Sequence, residues 1–275
     1  MKQIIQHIFP VIVIYKCKLR EARSYQTLLV SGNFPTFMVY DNSPAGYFCT
    51  PEALPSGAVY VRDEGNGGLS RAYNRAADYA ASHGFTRLLL LDQDTCFPSE
   101  ASQVYASADE DVPLWAPQVR TTSGADFSPC YVKGWGVKGV ALSPGIYDLY
   151  QYQGINSGLC IALKHFRAAG GYNDAVRLDF ADFQFQNRLR RIDSRILVLP
   201  FVAVHDFSND QREAAVLFTR FLLYLESASH CTFDGLREKL AHHFSVCKHT
   251  LALSWRTRDM RFIAKWFTHF LLKKS

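Results

Sequence analysis

Leu88-Leu89-Leu90-Leu91-Asp92-Gln93-Asp94 is an uninterrupted apolar run that ends in two carboxylates one residue apart. A run this apolar reads as a strand buried on both faces, and the change to acid marks where it leaves the sheet. Residues i and i+2 of an extended chain project to the same side, so Asp92 and Asp94 can converge on one point there. Ligands of open α/β sheets bind in that crevice. Two hard oxygen anions suit Mg²⁺ or Mn²⁺, which keep coordination sites for water and substrate phosphates. Spacing alone decides little, because Asp109-Glu110-Asp111 repeats it in a polar stretch with no strand feeding it and reads as a solvated loop. The plain alternative is that Asp92 and Asp94 merely terminate a strand.

Upstream, Val11-Ile12-Val13-Ile14-Tyr15, Thr36-Phe37-Met38-Val39-Tyr40 and Ala58-Val59-Tyr60-Val61 are further apolar runs of strand length, the second ending at Asp41-Asn42-Ser43-Pro44. Residues 19–29 read as helical, and Leu69, Ala72, Tyr73, Ala76 and Ala80 recur at helical spacing up to a stop at Gly84. Near-continuously apolar strands alternating with helices predict an α/β fold with a Rossmann-like, mostly parallel sheet covered by helices on both faces. Residues 1–112 form its nucleotide-binding half. Downstream, 113–155 is irregular, 155–163 reads as a buried strand, 164–169 as a short helix before Gly170-Gly171, 180–191 as a helix and 196–203 as a strand. Residues 113–210 form an acceptor half. Asp210 and Glu213 resemble a capping box opening a helix to about Ser227, the start of a helical extension over 211–275.

With 275 residues, 48% of them hydrophobic, the chain can bury a full core. Its seven cysteines are scattered without a C-x-x-C pair, which argues against a disulfide framework or structural zinc and fits a reducing cytoplasm. No signal peptide or spanning apolar segment is evident. The net charge of +5 is uneven: residues 248–275 hold seven Lys or Arg against Asp259 alone. That placement, with no recognition motif, argues against nucleic acid as a partner.

The strand end Asp41-Asn42-Ser43 resembles the nucleotide-base pocket of the family-2 inverting glycosyltransferases, enzymes of the GT-A fold. Four further stretches carry the resemblance: Asn66-x-Gly68-x-Ser70-x-Ala72-x-Asn74, the Asp92-Gln93-Asp94 strand, Ile155-Asn156-Ser157-Gly158, and Gly170-Gly171-Tyr172-Asn173 followed by Asp179-Phe180-Ala181-Asp182. Together they cover roughly residues 10–210, and within the family they look most like rhamnosyltransferases. The resemblance implies metal-dependent transfer of a sugar from a dTDP- or UDP-linked donor to a saccharide hydroxyl, the acceptor lipid-linked in bacterial surface polysaccharide synthesis.

It also implies roles. Asp182 would be the general base, in the second position of a Glu-Asp motif whose Glu is here Ala181; a further departure is Gln184, where many relatives carry an acid. Asp41, Asn42, Asn66, Gly68, Arg71 and Asp92 would bind the donor nucleotide, with Asp41 accepting a pyrimidine N–H and Arg71 pairing with Asp41 or stacking on the base. The alternative for Asp41 is an Asx turn. Asp92 and Asp94 would hold the metal with His205, whose alternative is a satisfied loop histidine. Asn156, Ser157, Gly158 and Asp179 would line the acceptor side, and Trp135, Tyr147, Tyr150 and Tyr152 either stack on sugars or belong to the core. Gly65-x-Gly67-x-x-Ser70 lacks the third glycine of a dinucleotide fingerprint and follows a later strand, which discounts NAD.

The tail places Trp255, Phe262, Ile263, Trp266, Phe267 and Phe270 at helical spacing among basic residues. Such a helix either lies on the inner face of an anionic plasma membrane or packs on the domain. Two rival functions are a nucleotidyltransferase, which should show a Gly-rich basic loop where Tyr15-Lys16-Cys17-Lys18 stands, and a non-catalytic sugar-nucleotide or glycan binder, against which the retained Asp92, Asp94 and Asp182 speak.

Overall fold

Each apolar run becomes a strand. The computed structural model describes residues 4–47, 54–108, 111–132, 136–206 and 214–270. In it β1 (Ile8–Ile14), β2 (Phe37–Asp41), β3 (Ala58–Arg62) and β4 (Arg87–Asp92) run parallel in the order β3-β2-β1-β4. Ile14 lies opposite Asp41 and Val13 opposite Asp92, so the two acids end their strands at nearly the same level on either side of β1. The chain order reverses direction about β1 there, and such a switch opens a crevice at the carboxyl ends of the strands.

Alternate residues of β4 feed two different cores, which is why the run is apolar throughout. Leu88 and Leu90 pack with Ala72, Tyr73 and Ala76 of α1 (Gly68–Ser82), whereas Leu89 and Leu91 join Ile12, Leu28 and Tyr105 on the other face. The segment between β1 and β2 is not the single helix predicted: a 3₁₀ turn at Leu19–Glu21 is followed by a π turn at Tyr25–Leu29. The Arg23 amide between them donates to the Gln93 carbonyl at 2.6 Å, which draws that residue out of a continuous helical ladder.

After β4 come β5 (Thr95–Cys96), α2 (Ala101–Ser107), β6 (Leu114–Thr121), the short strands β7 (Asp126–Ser128), β8 (Cys130–Tyr131), β9 (Lys138–Gly139), β10 (Gly145–Asp148) and β11 (Tyr152–Gln153), then β12 (Cys160–Ala162), α3 (Leu163–Ala168), α4 (Ala181–Leu189) and β13 (Arg195–His205). The main sheet continues β4-β12-β6-β13-β10. β12 is much shorter than the 155–163 strand predicted and lies antiparallel to both β4 and β6, so the sheet is mostly parallel with one reversed strand inside it. β6 is a central strand where an irregular stretch was expected. Its Pro117, which has no N–H for the ladder, falls where the pairing with β13 shifts register between Val198 and Val202, a bulge that accommodates it.

Three helices complete the described chain: α5 (Ala214–Ser229), α6 (Leu236–Thr257) and α7 (Arg261–Phe270). The proposed capping box at Asp210 and Glu213 lies outside the described residues. The single tail helix expected over 251–272 is two helices, parted by Arg258 in the left-handed region (φ 54°). Phe262, Trp266 and Phe270 do not face outward: they close a separate core with Phe221, Leu225 and Val246. Among the described residues no helix is long and apolar enough to cross a membrane.

Candidate active site

β2 and β4 end in an Asp and β3 stops one residue short of one, and the structure uses each differently. Asp41 is fully buried; one carboxylate oxygen accepts from the Ser43 amide at 2.9 Å and the other from the Tyr60 hydroxyl at 3.0 Å. The Asx-turn geometry is therefore present. Beside it Asn42 is buried with its side-chain oxygen unpartnered, the condition in which a ligand N–H restores a lost hydrogen bond. Asp63, just beyond β3, was not singled out from the sequence. It accepts from the Tyr40 hydroxyl at 2.8 Å and the Gly65 and Gly67 amides at 3.1 and 3.0 Å, and Arg71 pairs with it at 3.8 Å. Arg71 thus goes to Asp63 and not to Asp41.

The Asn66-to-Asn74 segment is bonded to the loop before α4. The Asn66 carbonyl accepts from the Arg177 guanidinium, the Leu69 amide donates to the Arg177 carbonyl at 2.7 Å and the Ser70 hydroxyl to the Val176 carbonyl at 2.5 Å. Asn74 donates to the Tyr172 carbonyl at 2.9 Å and accepts from the Tyr172 amide at 2.8 Å. Gly68 is left-handed (φ 87°), and a Cβ there would run into the Arg177 carbonyl. These residues clasp the 171–177 loop onto α1.

At the end of β4 the alternation works as predicted. Gln93 turns to one side, where its side-chain oxygen accepts from the Tyr15 amide at 2.8 Å. Asp92 faces the other side and accepts from the hydroxyls of Tyr73, at 3.4 Å, and Ser157. The chain then enters β5, which pairs antiparallel with the end of β13, Thr95 opposite His205. This pairing brings Asp94 against His205 and Asp206, whose amide donates to the Asp94 carbonyl at 3.1 Å. His205 Nδ1 lies 2.8 Å from the Thr95 hydroxyl, and its ring stacks 5.9 Å from Phe127.

Burial pushes the Asp94 carboxyl above the usual carboxylate range; Asp92 and Asp206 raise it further and His205 opposes them. Anions crowded so that one resists ionising are what a bound cation relieves. Among the described residues no three His, Cys, Asp or Glu side chains are grouped closely enough to hold an ion by themselves, so Asp92, Asp94 and His205 are not a ready-made three-ligand set. A two-carboxylate site on Asp94 and Asp92 still fits Mg²⁺ or Mn²⁺, which take one or two carboxylates and complete their shell with water and phosphate.

Asp182 lies in the first turn of α4. One of its oxygens accepts from the Phe183 amide at 2.9 Å. The residue is not wholly hidden from solvent, yet burial of the carboxyl pushes it up to about 7, against the pull of the Phe183 amide and helped by Asp179 and Asp92. A carboxyl in that range is poised to accept a proton near neutral pH. Two residues earlier Phe180 has φ 69°, a strained value for an aromatic side chain.

The residues expected on the acceptor side divide. Ser157 braces Asp92, Asn156 is buried and accepts from the Tyr172 hydroxyl at 2.7 Å, and the Gly158 amide donates to the Leu90 carbonyl at 2.9 Å, so all three lie along β4. The Asp179 carboxylate is bidentate to Arg220 of α5 at 2.5 and 2.9 Å, which ties it to the C-terminal helices. Gln184 is buried and reaches the His230 carbonyl at 3.3 Å. Tyr147 and Tyr152 pack on each other and Tyr150 lies under Arg190, while Trp135 falls outside the described residues. Asp206, Thr95 and Arg220 escaped the sequence reading. For Asp63 a signal existed, since Val61-Arg62-Asp63 places an acid directly after its strand.

No protein-family model and no curated protein matches the sequence. Solved structures do. The mannosyltransferase PcManGT from Pyrobaculum calidifontis, in complex with GDP-Man and Mn²⁺, superposes with a TM-score of 0.55 at 13% identity, covering 98% of this chain and 76% of its own. S. aureus TarS 1–349 in complex with UDP-GlcNAc gives 0.54 at 14% identity, covering 98% and 81%. The fold is GT-A. GalNAc-T7 with UDP, GalNAc and Mn²⁺ gives 0.51 at 13% identity, covering 97% of this chain and 56% of its own. Identities this low establish shared GT-A architecture and nothing finer about chemistry.

Proposed function

We propose that the chain is an inverting glycosyltransferase that moves a sugar from a nucleoside diphosphate donor to a saccharide hydroxyl. The observation that carries this reading is the meeting of two carboxylate systems in one GT-A crevice: the Asp92/Asp94 pair on the strand side and Asp182, pushed up to about 7, on the helix side. Asp182 takes the proton of the acceptor hydroxyl as its oxygen forms a bond to the anomeric carbon. The bond from that carbon to the diphosphate oxygen breaks on the opposite face, and its electron pair leaves with the diphosphate. One displacement inverts the centre. A divalent cation on Asp94 and Asp92 would neutralise charge on the departing diphosphate. Asp41 and the unpartnered Asn42 oxygen offer acceptors to the base.

The GDP-Man, UDP-GlcNAc and Mn²⁺ complexes of the similar structures support a nucleotide-sugar donor and a divalent metal. The sequence resemblance favours dTDP-rhamnose, with a lipid-linked intermediate of a bacterial surface polysaccharide as acceptor at the cytoplasmic face of the membrane. The test is calorimetry of the whole chain against a panel of UDP-, GDP- and dTDP-sugars with Mn²⁺, followed by NMR of the product's anomeric centre. Donor binding and an inverted product are expected. Absence of binding across the panel, or a retained anomer, would overturn the reading.

A further inference from the structure

The tail's apolar residues were expected either to meet a membrane or to pack on the domain, and the structure divides them between two helices. The face of α7 carrying Phe262 and Trp266 is consumed by the C-terminal core. The exposed apolar surface lies instead on α6, the 22-residue helix before it. Leu236, Leu240, Phe244, Leu251 and Trp255 are 73, 48, 53, 52 and 88% exposed, and their four- and seven-residue steps place them along one face. The residues that α6 buries, Val246, Thr250, Leu253 and Ser254, all lie in its second half. An exposed stripe running nearly the whole helix, with tryptophan its most exposed member, is not ordinary surface scatter.

The charge around the stripe selects the occupant. Arg237, Lys239, Lys248, Arg256 and Arg258 are exposed along α6 and its end. Glu238 of α6 and Asp259 of the turn that follows it are paired with Arg190 and Arg261. The rim is therefore basic without local compensation. A second copy docking by the same face would set this rim against itself, since a two-fold interface apposes identical surfaces. A bilayer with acidic headgroups offers the complement to both features: phosphate charge for the rim, and an acyl boundary for the stripe, where tryptophan is favoured.

We infer that α6 is a membrane-docking helix that lies flat on an anionic lipid surface through the Leu236-to-Trp255 stripe. The docking does not depend on the sugar-transfer reading and is measured without a donor. The full chain is floated with vesicles of phosphatidylcholine plus phosphatidylglycerol, and with phosphatidylcholine alone. Leu251→Ser/Trp255→Ser and Lys248→Glu/Arg256→Glu alter only exposed side chains. The wild type should bind the anionic vesicles in a salt-sensitive manner and the neutral ones weakly, and each double variant should lose roughly ten-fold or more in partition. Vesicle binding unchanged in both variants, or absent in the wild type, would overturn the inference. So would a lipid-free dimer that the apolar variant converts to monomer, since the stripe would then belong to an interface between copies. Should the apolar variant fold poorly, the charge-reversal variant carries the test.

Discussion

Two stretches look equally functional in the sequence, Asn66 to Asn74 and Asp92 to Asp94, and the molecule treats them in opposite ways. In the first, asparagine, glycine and serine meet partners within the protein: Ser70 on the Val176 carbonyl, Asn74 on both backbone groups of Tyr172, the Asn66 carbonyl on Arg177. In the second, the charge is left in excess. Asp94 is forced upward by burial and by Asp92 and Asp206, with His205 as the opposing group. Internal closure marks a clasp that builds the crevice. Uncompensated charge marks the place where a ligand completes the electrostatics.

The sharpest way to break this contrast is at Asp182, which shares the uncompensated character. Asn keeps the shape and removes the basicity, so Asp182→Asn should lose on the order of 10²–10⁴ in turnover while retaining donor affinity. Undiminished turnover would move the base elsewhere, and lost donor affinity would place the residue in the nucleotide site. Wild-type turnover should rise with pH to a plateau above about 7, as the carboxyl ionises. Stability should move the other way. The folded carboxyl holds its proton to about 7 and the unfolded one only to the ordinary carboxylate value near 4, so stability falls as pH rises through that window. Asp182→Asn should lack this loss and be more stable than wild type at pH 8 by on the order of 2 kcal/mol, read by urea denaturation.

Next in size is Asp94→Asn, which should cost roughly 10²–10³ in transfer and weaken donor binding in Mn²⁺ much more than in EDTA. Equal activity of wild type with and without chelator would remove the metal from the reading. The smallest effect belongs to the clasp: Asn74→Ala should lower stability by about 1–3 kcal/mol through the backbone groups left unpaired, with donor affinity in the surviving folded protein nearly unchanged. A selective loss of donor affinity at full stability would erase the distinction between the two stretches.

What could be read in advance follows from the range of the interactions. β1 to β4 and the Asp92/Asp94 pair were legible because burial on both faces writes itself into consecutive residues. β6 was hidden by Pro117, which becomes tolerable only through a bulge on a strand some eighty residues later. The pairs that decide the site's shape, Asp179 with Arg220 and Asp94 with Asp206, join residues far apart in sequence and leave no local pattern. The tail stayed open between membrane and domain for a different reason. Both α6 and α7 carry apolar faces, and periodicity reports that a face exists without saying whether protein or solvent meets it.

Phe180 has a consequence for where the working unit ends. Its left-handed backbone sits two residues before Asp182, and its ring is held between Tyr224 of α5 and His242 of α6, each with centroids 4.9 Å away. Asp179 beside it is fastened by Arg220. The conformation that aims the proposed base is therefore kept in place by helices that contribute no reacting group. A chain shortened to the sheet and its crevice, ending near residue 206, would keep every carboxylate discussed for chemistry and still be a poor catalyst, because the corner leading into α4 would relax. If Asp182 is the base as proposed, the smallest competent unit includes the helices of the C-terminal extension, and a force on those helices reaches Asp182 through Phe180 and Asp179.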